Sequence, residues 1–355
     1  MNYRITALLG AEAASTAGTK TLDINLAEPI SRITVQMKGL NHLAVPTAHP
    51  AKMVSKIEVV DGSDVLVSLS GVQAQALNYY NKGRMPLNVL NYTDEVYSIA
   101  TYDIDFGRWL YDELLALDPR KFTNPQLKIT HNMASGGSAP DAGELAVYAH
   151  TFDEKAITPT GFLTAKEQYE YSLTASATEN IDLAVDKTYR ALMILAMSAT
   201  LQPWEQFNQV KLSQDNDRKV IINDEKTSNL LKLLTMYPPF TENITGTTKN
   251  GTTTFYCTAS YERVAVLVGL DADADAYVTD TYGGAINVAD SGAANVNIAV
   301  TGYSPHSSLF LPFGKQDATE DWFNMDNTGS LRLSLKAGAS ASGTGEIVSQ
   351  QLRLY

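Results

Sequence analysis

Residues 21–37 read TLDINLAEPISRITVQM, and residues 180–197 read NIDLAVDKTYRALMILAM. In the first stretch Leu22, Ile24 and Leu26 alternate with polar residues, and Ile33, Val35 and Met37 alternate with Arg32, Thr34 and Gln36. A period of two puts one face of a strand in a core and the other in solvent. In the second stretch Ile181, Leu183 and Val185 repeat the opening trio, and the run from Ala191 to Met197 is wholly apolar. That run carries no helix cap and reads as a strand buried on both faces, with a core helix turn as the alternative that period alone leaves open.

The same order of features then unfolds twice. Ile57 and Val59 lead into Asp61-Gly62, with Val65, Val67 and Leu69 beyond. Asp-Gly between alternating runs marks a tight hairpin, because glycine tolerates the positive φ such a turn needs. In the second half Val210 and Leu212 lead into Asp215-Asn216-Asp217, with Val220 and Ile222 beyond. Each hairpin runs into a short helix. Ser70 is placed to cap the first, with Gln73 as its capping-box partner and Val72, Ala76, Tyr79 and Tyr80 on one face. Asp224 is placed to cap the second, whose apolar face carries Leu230, Leu231 and Leu234. Both helices stop ahead of proline, at Pro86 and at Pro238-Pro239. Phe106-Gly107 is matched by Phe313-Gly314, and a strand with Leu127 and Ile129 by one with Leu331 and Leu333. The small-residue loops ASGGSAPDAG and AGASASGTG precede the last strands, which begin at Glu144 and Glu346.

Such an ordered set points to duplication of one fold. The offset between matching positions grows between Val67/Ile222 and Gly107/Gly314, so the second half carries extra residues. They fall at about 241–302, a Thr-, Gly-, Ala- and Asp-rich stretch that reads as a projecting loop elaboration or small β unit. The fold class is all-β: two tandem jelly-roll β-sandwiches, each with a short helix, the second with a loop insertion. The boundaries are a first jelly roll at 21–155, a linker at 156–165 broken by Pro159 and Gly161, and a second jelly roll at 166–355. Residues 1–20 are assigned to an N-terminal arm, with a disordered tail or an added first strand as the other readings.

Composition narrows the function. With 44% hydrophobic and 19% charged residues the chain is globular, not disordered. Its net charge of −12 and the lack of a basic stripe speak against direct nucleic-acid binding. The single Cys257 excludes an intrachain disulfide and any Cys-based zinc site. Neither a signal peptide nor a run of about 18 apolar residues occurs, so the expectation is a soluble protein made in a host cytoplasm.

No G-x-S-x-G, Gly-rich phosphate loop or H-E-x-x-H motif occurs, and no catalytic or cofactor-binding residue is assigned. His42, His49, His131, His150 and His306 are not at ligand spacing and are expected at surfaces or interfaces. Asp271, Asp273 and Asp275 alternate as calcium-loop carboxylates do, but Ala276 stands where an EF-hand needs glycine, and Tyr282 where it needs Glu. They are the one metal candidate, for structural calcium, beside the reading of a solvated acidic loop. Trp109 and Trp322 each follow a Phe-Gly and are expected, with Trp204, in core or interface positions.

VSLSGVQAQALNYYN (67–81), a strand turning directly into a helix, and LDPRKFTNPQLKITHN (117–132), a loop entering a strand, resemble the double-jelly-roll major capsid proteins of tailless icosahedral viruses. That lineage includes adenovirus hexons and the coat proteins of tectiviruses and corticoviruses, bacteriophages with an internal membrane. The resemblance implies a major capsid protein, a homotrimer forming pseudo-hexameric capsomers in the outer shell of the virion. It implies contacts with neighbouring capsomers and with vertex (penton) and minor capsid proteins. It also implies a tower from the insertion and an N-terminal arm reaching the inner surface and an internal membrane. The alternative is a virion spike or lectin-like protein that binds a receptor or glycan through jelly-roll loops.

Overall fold

A computed structural model describes residues 1–135, 137–233, 237–270, 275–279 and 282–355. The first half runs β1 (Tyr3–Ala14), β2 (Ala17–Asp23), β3 (Ile30–Leu40), β4 (Val54–Asp61), β5 (Asp64–Leu69), α1 (Gly71–Lys82), β6 (Leu90–Tyr92), β7 (Tyr97–Asp105), β8 (Pro125–Asn132) and β9 (Ala142–Phe152). The eight longer strands form two layers, ordered β1-β9-β3-β7 and β2-β8-β4-β5. Ile33, Val35 and Met37 from one layer and Ile57, Val59, Leu127 and Ile129 from the other are buried in a common core.

The second half runs β10 (Gly161–Ser172), β11 (Thr178–Leu183), β12 (Tyr189–Leu195), α2 (Pro203–Gln206), β13 (Phe207–Gln214), β14 (Lys219–Lys226) and α3 (Thr227–Leu233). The insertion follows as β15 (Phe240–Thr247), β16 (Gly251–Tyr256), β17 (Tyr261–Leu270), β18 (Tyr277–Val278), β19 (Ala285–Asp290) and β20 (Asn295–Tyr303). The half closes with β21 (Ser308–Pro312), β22 (Leu331–Ala337) and β23 (Thr344–Leu354). Its layers, β10-β23-β12-β21 and β11-β22-β13-β14, repeat the order of the first half strand for strand. Each half is a jelly roll.

Several expectations need correction. Residues 3–14 are not an arm but β1, the added first strand that stood as another reading of this segment, an edge strand paired antiparallel with β9. Bulges between Ala7 and Leu9 and between Leu9 and Glu12 break its period, which hid it from a pattern search. The linker is shorter than expected, because Gly161 already begins β10. Asp224 does not cap a helix; it lies in β14 with φ of 48°. Leu234 lies outside the described residues. Register also moves one match: Leu22 and Val59 face Leu127 as Ile181 and Leu212 face Leu333, so Leu127 corresponds to Leu333 rather than Leu331. The apolar run at 191–197 is largely strand β12, not helix. Leu192 and Ile194 enter the second roll's core, while Ala191, Met193 and Leu195 face the other way into the larger core shared with the first roll.

The rolls meet edge to edge. β5 lies parallel to β10 with Lys166 opposite Ser68, and Thr164 Oγ1 donates to Leu66 O at 2.5 Å. Arg353 grips Asp64 with both carboxylate oxygens engaged, at 2.9 and 2.5 Å. The insertion forms two small sheets, β17-β20-β15-β6 and β16-β19-β18. Its first sheet is completed by the first roll's own β6, parallel to β15 with Leu90 opposite Ile244.

Helix α1 fills the junction of all three parts and is buried from Gly71 to Tyr80. A Cβ at Gly71 would stand 2.5–2.6 Å from Ala51 O, Tyr102 and Val54 O, so only glycine admits the chain here. Ser70 Oγ accepts from Gln73 N–H at 3.1 Å, and Gln73 Oε1 accepts from Ser70 N–H at 2.9 Å, the expected capping box. The helix ends at Gly83 with φ of 67°. Its buried amides close the free edge of β7. Asn78 Nδ2 donates to Asp103 O at 2.6 Å while its Oδ1 accepts from Asp103 N–H at 2.9 Å. Gln75 Nε2 donates to Thr101 O at 3.0 Å.

Replacing Asn78 with Ala leaves a strand N–H and C=O unpaired, for an expected loss of about 2–4 kcal/mol in chemical denaturation. Ser70→Ala removes only a cap and is expected to cost about 1 kcal/mol. Equal losses for the two would show that the side-chain amide does not close the strand.

Candidate functional site

Two histidines expected at surfaces or interfaces are buried side by side within the chain, where α1, the turn at Pro50–Met53 and the base of the insertion converge. The rings of His49 and His306 are 2% and 1% exposed by residue, with centroids 5.0 Å apart at 80°. His49 Nδ1 accepts from Ala51 N–H at 3.0 Å, so its proton sits on Nε2 and is donated to Thr258 Oγ1 at 2.9 Å. His306 Nε2 meets Gln75 Oε1 of α1 at 3.3 Å, while its buried Nδ1 has no hydrogen-bond partner among the described residues. His306 itself is held in the left-handed region, φ 55° and ψ 37°, between Ser304 and Ser307, which also have positive φ. Burial disfavours the imidazolium, lowering His49 to about 3 and His306 well below its ordinary value.

Nearby, Glu242 of β15 accepts from Thr258 N–H. Burial raises its carboxyl to about 7, opposed by hydrogen bonds from Thr258 and Ala259 and by the charge of Arg263. Sequence held no sign of this cluster, since its members, His49, Gln75, Glu242, Thr258 and His306, come from five separate segments. A cleft of about 720 Å³ lies on the far side of Glu242, floored by Arg32, Lys82 and Asp103. These three are held in ion pairs: Arg32 Nε with Asp105 at 2.5 Å, and Lys82 Nζ with Asp103 at 2.5 Å and Asp105 at 3.3 Å.

Asp271 and Asp273 lie outside the described residues. Asp275 accepts from Ser291 N–H at 3.1 Å, and hydrogen bonding from the Ser291 hydroxyl, then from that N–H, lowers its pKa. Among the described residues no group of three His, Cys, Asp or Glu is placed to hold a metal. Trp322 is buried and donates to Lys315 O at 2.9 Å, whereas Trp109 is half exposed beneath the Arg108 guanidinium.

Two surfaces stand out. The outer face of the insertion's larger sheet is uncharged: Thr241 meets Thr301 at 2.9 Å, and Thr245 and Thr247 donate to Asn297 and Asn295 at 3.0 Å. Beside that ladder Val264, Val266 and Val268 are exposed on edge strand β17. The second surface comprises the outer edges of β1 and β14, the end strands of their layers.

The cluster makes stability depend on pH with a defined sign. Unfolded histidine binds protons below about pH 6.5 and the buried pair does not, so stability falls as pH drops from there toward 3. Glu242 acts oppositely: native protein holds a proton that the unfolded chain releases between its ordinary 4.5 and about 7, so this group's contribution falls as pH rises through that window. Glu242→Gln removes the opposing group. Melting temperatures against pH are expected to fall more steeply for this variant than for the parent between about pH 6.5 and 4.5. Parallel curves would mean that Glu242 does not titrate in that window.

No protein-family model and no curated protein matches the sequence. Solved structures do match in shape. The major capsid protein P2 of bacteriophage PM2 superposes over 99% of this chain and 98% of its own, with a TM-score of 0.58 and 11% identity. The STIV MCP, from Sulfolobus Turreted Icosahedral Virus, covers 100% of this chain and 97% of its own, with a TM-score of 0.62 and 12% identity. VP54 of PBCV-1 covers 99% and 94%, with a TM-score of 0.58 and 11% identity. At these identities the likeness is one of fold, and it spans both rolls and the insertion together. In strand order, pairing and superposition this chain has the double-jelly-roll fold of viral major capsid proteins.

Proposed function

We propose that the chain is a major capsid protein that trimerises into pseudo-hexameric capsomers tiling the outer shell of an icosahedral virion. The observation that carries this reading is two rolls of one topology set edge to edge in a single chain. A cyclic trimer of such a chain presents six nearly alike blocks, the outline that packs a flat lattice. The insertion, a folded unit rooted on α1 and β6, forms the projecting part of the capsomer. The vertex and minor capsid proteins of the shell are its further partners. Membrane contact through residues 1–20 is not carried forward, because residues 3–14 are engaged in β1. The receptor- or glycan-binding alternative draws no support from the fold, which superposes whole on shell proteins.

Sedimentation of the purified chain is expected to give trimers of the 38.6 kDa subunit, with a hexagonal outline in negative stain. A chain that stays monomeric at every accessible concentration would falsify the reading.

A further inference from the structure

The internal joint leaves two matching edges over. β5 and β10 make the joint within the chain; β14 is the second roll's counterpart of β5, and β1 is the first roll's counterpart of β10. Among the described residues neither β14 nor β1 has a strand on its outer edge. We propose that β14 of one copy docks parallel to β1 of a second copy, repeating between chains the joint that β5 and β10 make within one. The proposal rests on the assembly reading above and specifies which surfaces meet.

The pairing ladders fix the register. Ile33 faces Ala149 and Ile104 just as Leu192 faces Ser349 and Leu311, and Phe106-Gly107 and Phe313-Gly314 follow at the same distance. Thr6 faces Ala149 as Lys166 faces Ser349, so Thr6 corresponds to Lys166. On the other side Val67 faces Val59 as Ile222 faces Leu212, so Ser68 corresponds to Asn223. The internal contact of Lys166 with Ser68 therefore becomes Thr6 of one copy beside Asn223 of the next.

Two independent features fit that register. Asp64 and Arg353, the ion pair that clamps the internal joint, correspond to Lys219 and Asp153. The charges are opposite again, with their sides exchanged. Lys219 is exposed and has no ion-pair partner among the described residues, and Asp153 meets Arg4 at 3.7 Å. Exposed apolar side chains sit on both edges, Ile5 at 61% and Val220 at 39%, and the register sets Ile5 beside Ile222 and Tyr3 beside Val220. Open apolar edges are avoided in proteins that stay monomeric, and here both are covered by a copy of the same chain.

The test uses the full chain and reads its association by sedimentation. Lys219→Asp and Asp153→Lys each set like charges across the joint and are expected to weaken association by about tenfold or more. The two substitutions together restore opposite charges and are expected to return association to within about threefold of the parent. Adjacent strands lie about 4.8 Å apart, inside disulfide reach, so Thr6→Cys with Asn223→Cys is expected to oxidise into covalent trimers. Ser68→Cys with Lys166→Cys is the internal control and closes within one chain. Trimers that persist unchanged in both single charge variants, or a double variant no better than the singles, would overturn the joint while leaving the assembly reading intact. A parent chain that never associates overturns the assembly reading itself.

Discussion

The outermost strand of a sheet presents a row of backbone N–H and C=O groups that must find partners or face water, and unpartnered rows invite other chains. This molecule closes its edges in several distinct ways. The edge of β7 is closed by side chains, with Asn78 and Gln75 of α1 standing in for a neighbouring strand. The edge of β5 is closed by β10, which is what fastens one roll to the other. The edge of β15 is closed by β6, which ties the insertion to a roll from which it does not descend in sequence. The last two closures also join parts that the chain order keeps apart.

Helix α1 makes these closures rigid. Its amides are fully buried, where a satisfied hydrogen bond is strong and an unsatisfied one is costly. Gln73 caps the helix and also donates to Glu346 of β23 at 2.7 Å, linking the first roll's helix to the second roll's last strand. Tyr80 stacks on Phe310 of β21 at 4.6 Å and donates to Ser308 O at 3.1 Å. A helix that touches every part by specific bonds admits one relative placement of the rolls. That placement sets where the remaining edges lie. The helix and the insertion occupy the same connection in their respective rolls, between the hairpin's second strand and the strand that ends in Phe-Gly. Duplicated rolls have thus been elaborated at one point, once inward as a brace and once outward as a folded unit.

How far the sequence disclosed this depended on whether the signal was local. Alternation in β3 and β8 is regular because one face is core and the other is not, and the duplicate order of hairpin, helix and Phe-Gly followed from it. The capping box at Ser70 and Gln73 is a contact three residues apart, so it too was legible. β1 was not, because an edge strand with two bulges keeps no period. The sequence equally hid that α1 would be buried all round: its Gln73, Gln75 and Asn78 look like a solvated face until the strands they serve are in place. His49 and His306 stand far apart along the chain, and only the fold makes them neighbours. Of the acidic triplet only Asp275 lies among the described residues, and there it accepts from Ser291 N–H.

Duplication brings a difficulty that the charges resolve. Two rolls of one topology offer two edges of each kind, and nothing in backbone pairing distinguishes a correct joint from a wrong one. The ion pairs do. Joining the first roll's β5 edge to a β1 edge would set Asp64 against Asp153, and joining the β14 edge to a β10 edge would set Lys219 against Arg353. Both mismatches bring like charges together at the place where the internal joint holds a two-bond Arg–Asp pair. Such contacts cost several kcal/mol when solvent is excluded. Only alternation of first and second rolls places opposite charges at every joint. A chain that polarises its two joints in opposite senses therefore admits rings in which the rolls alternate and disfavours pairing of like rolls.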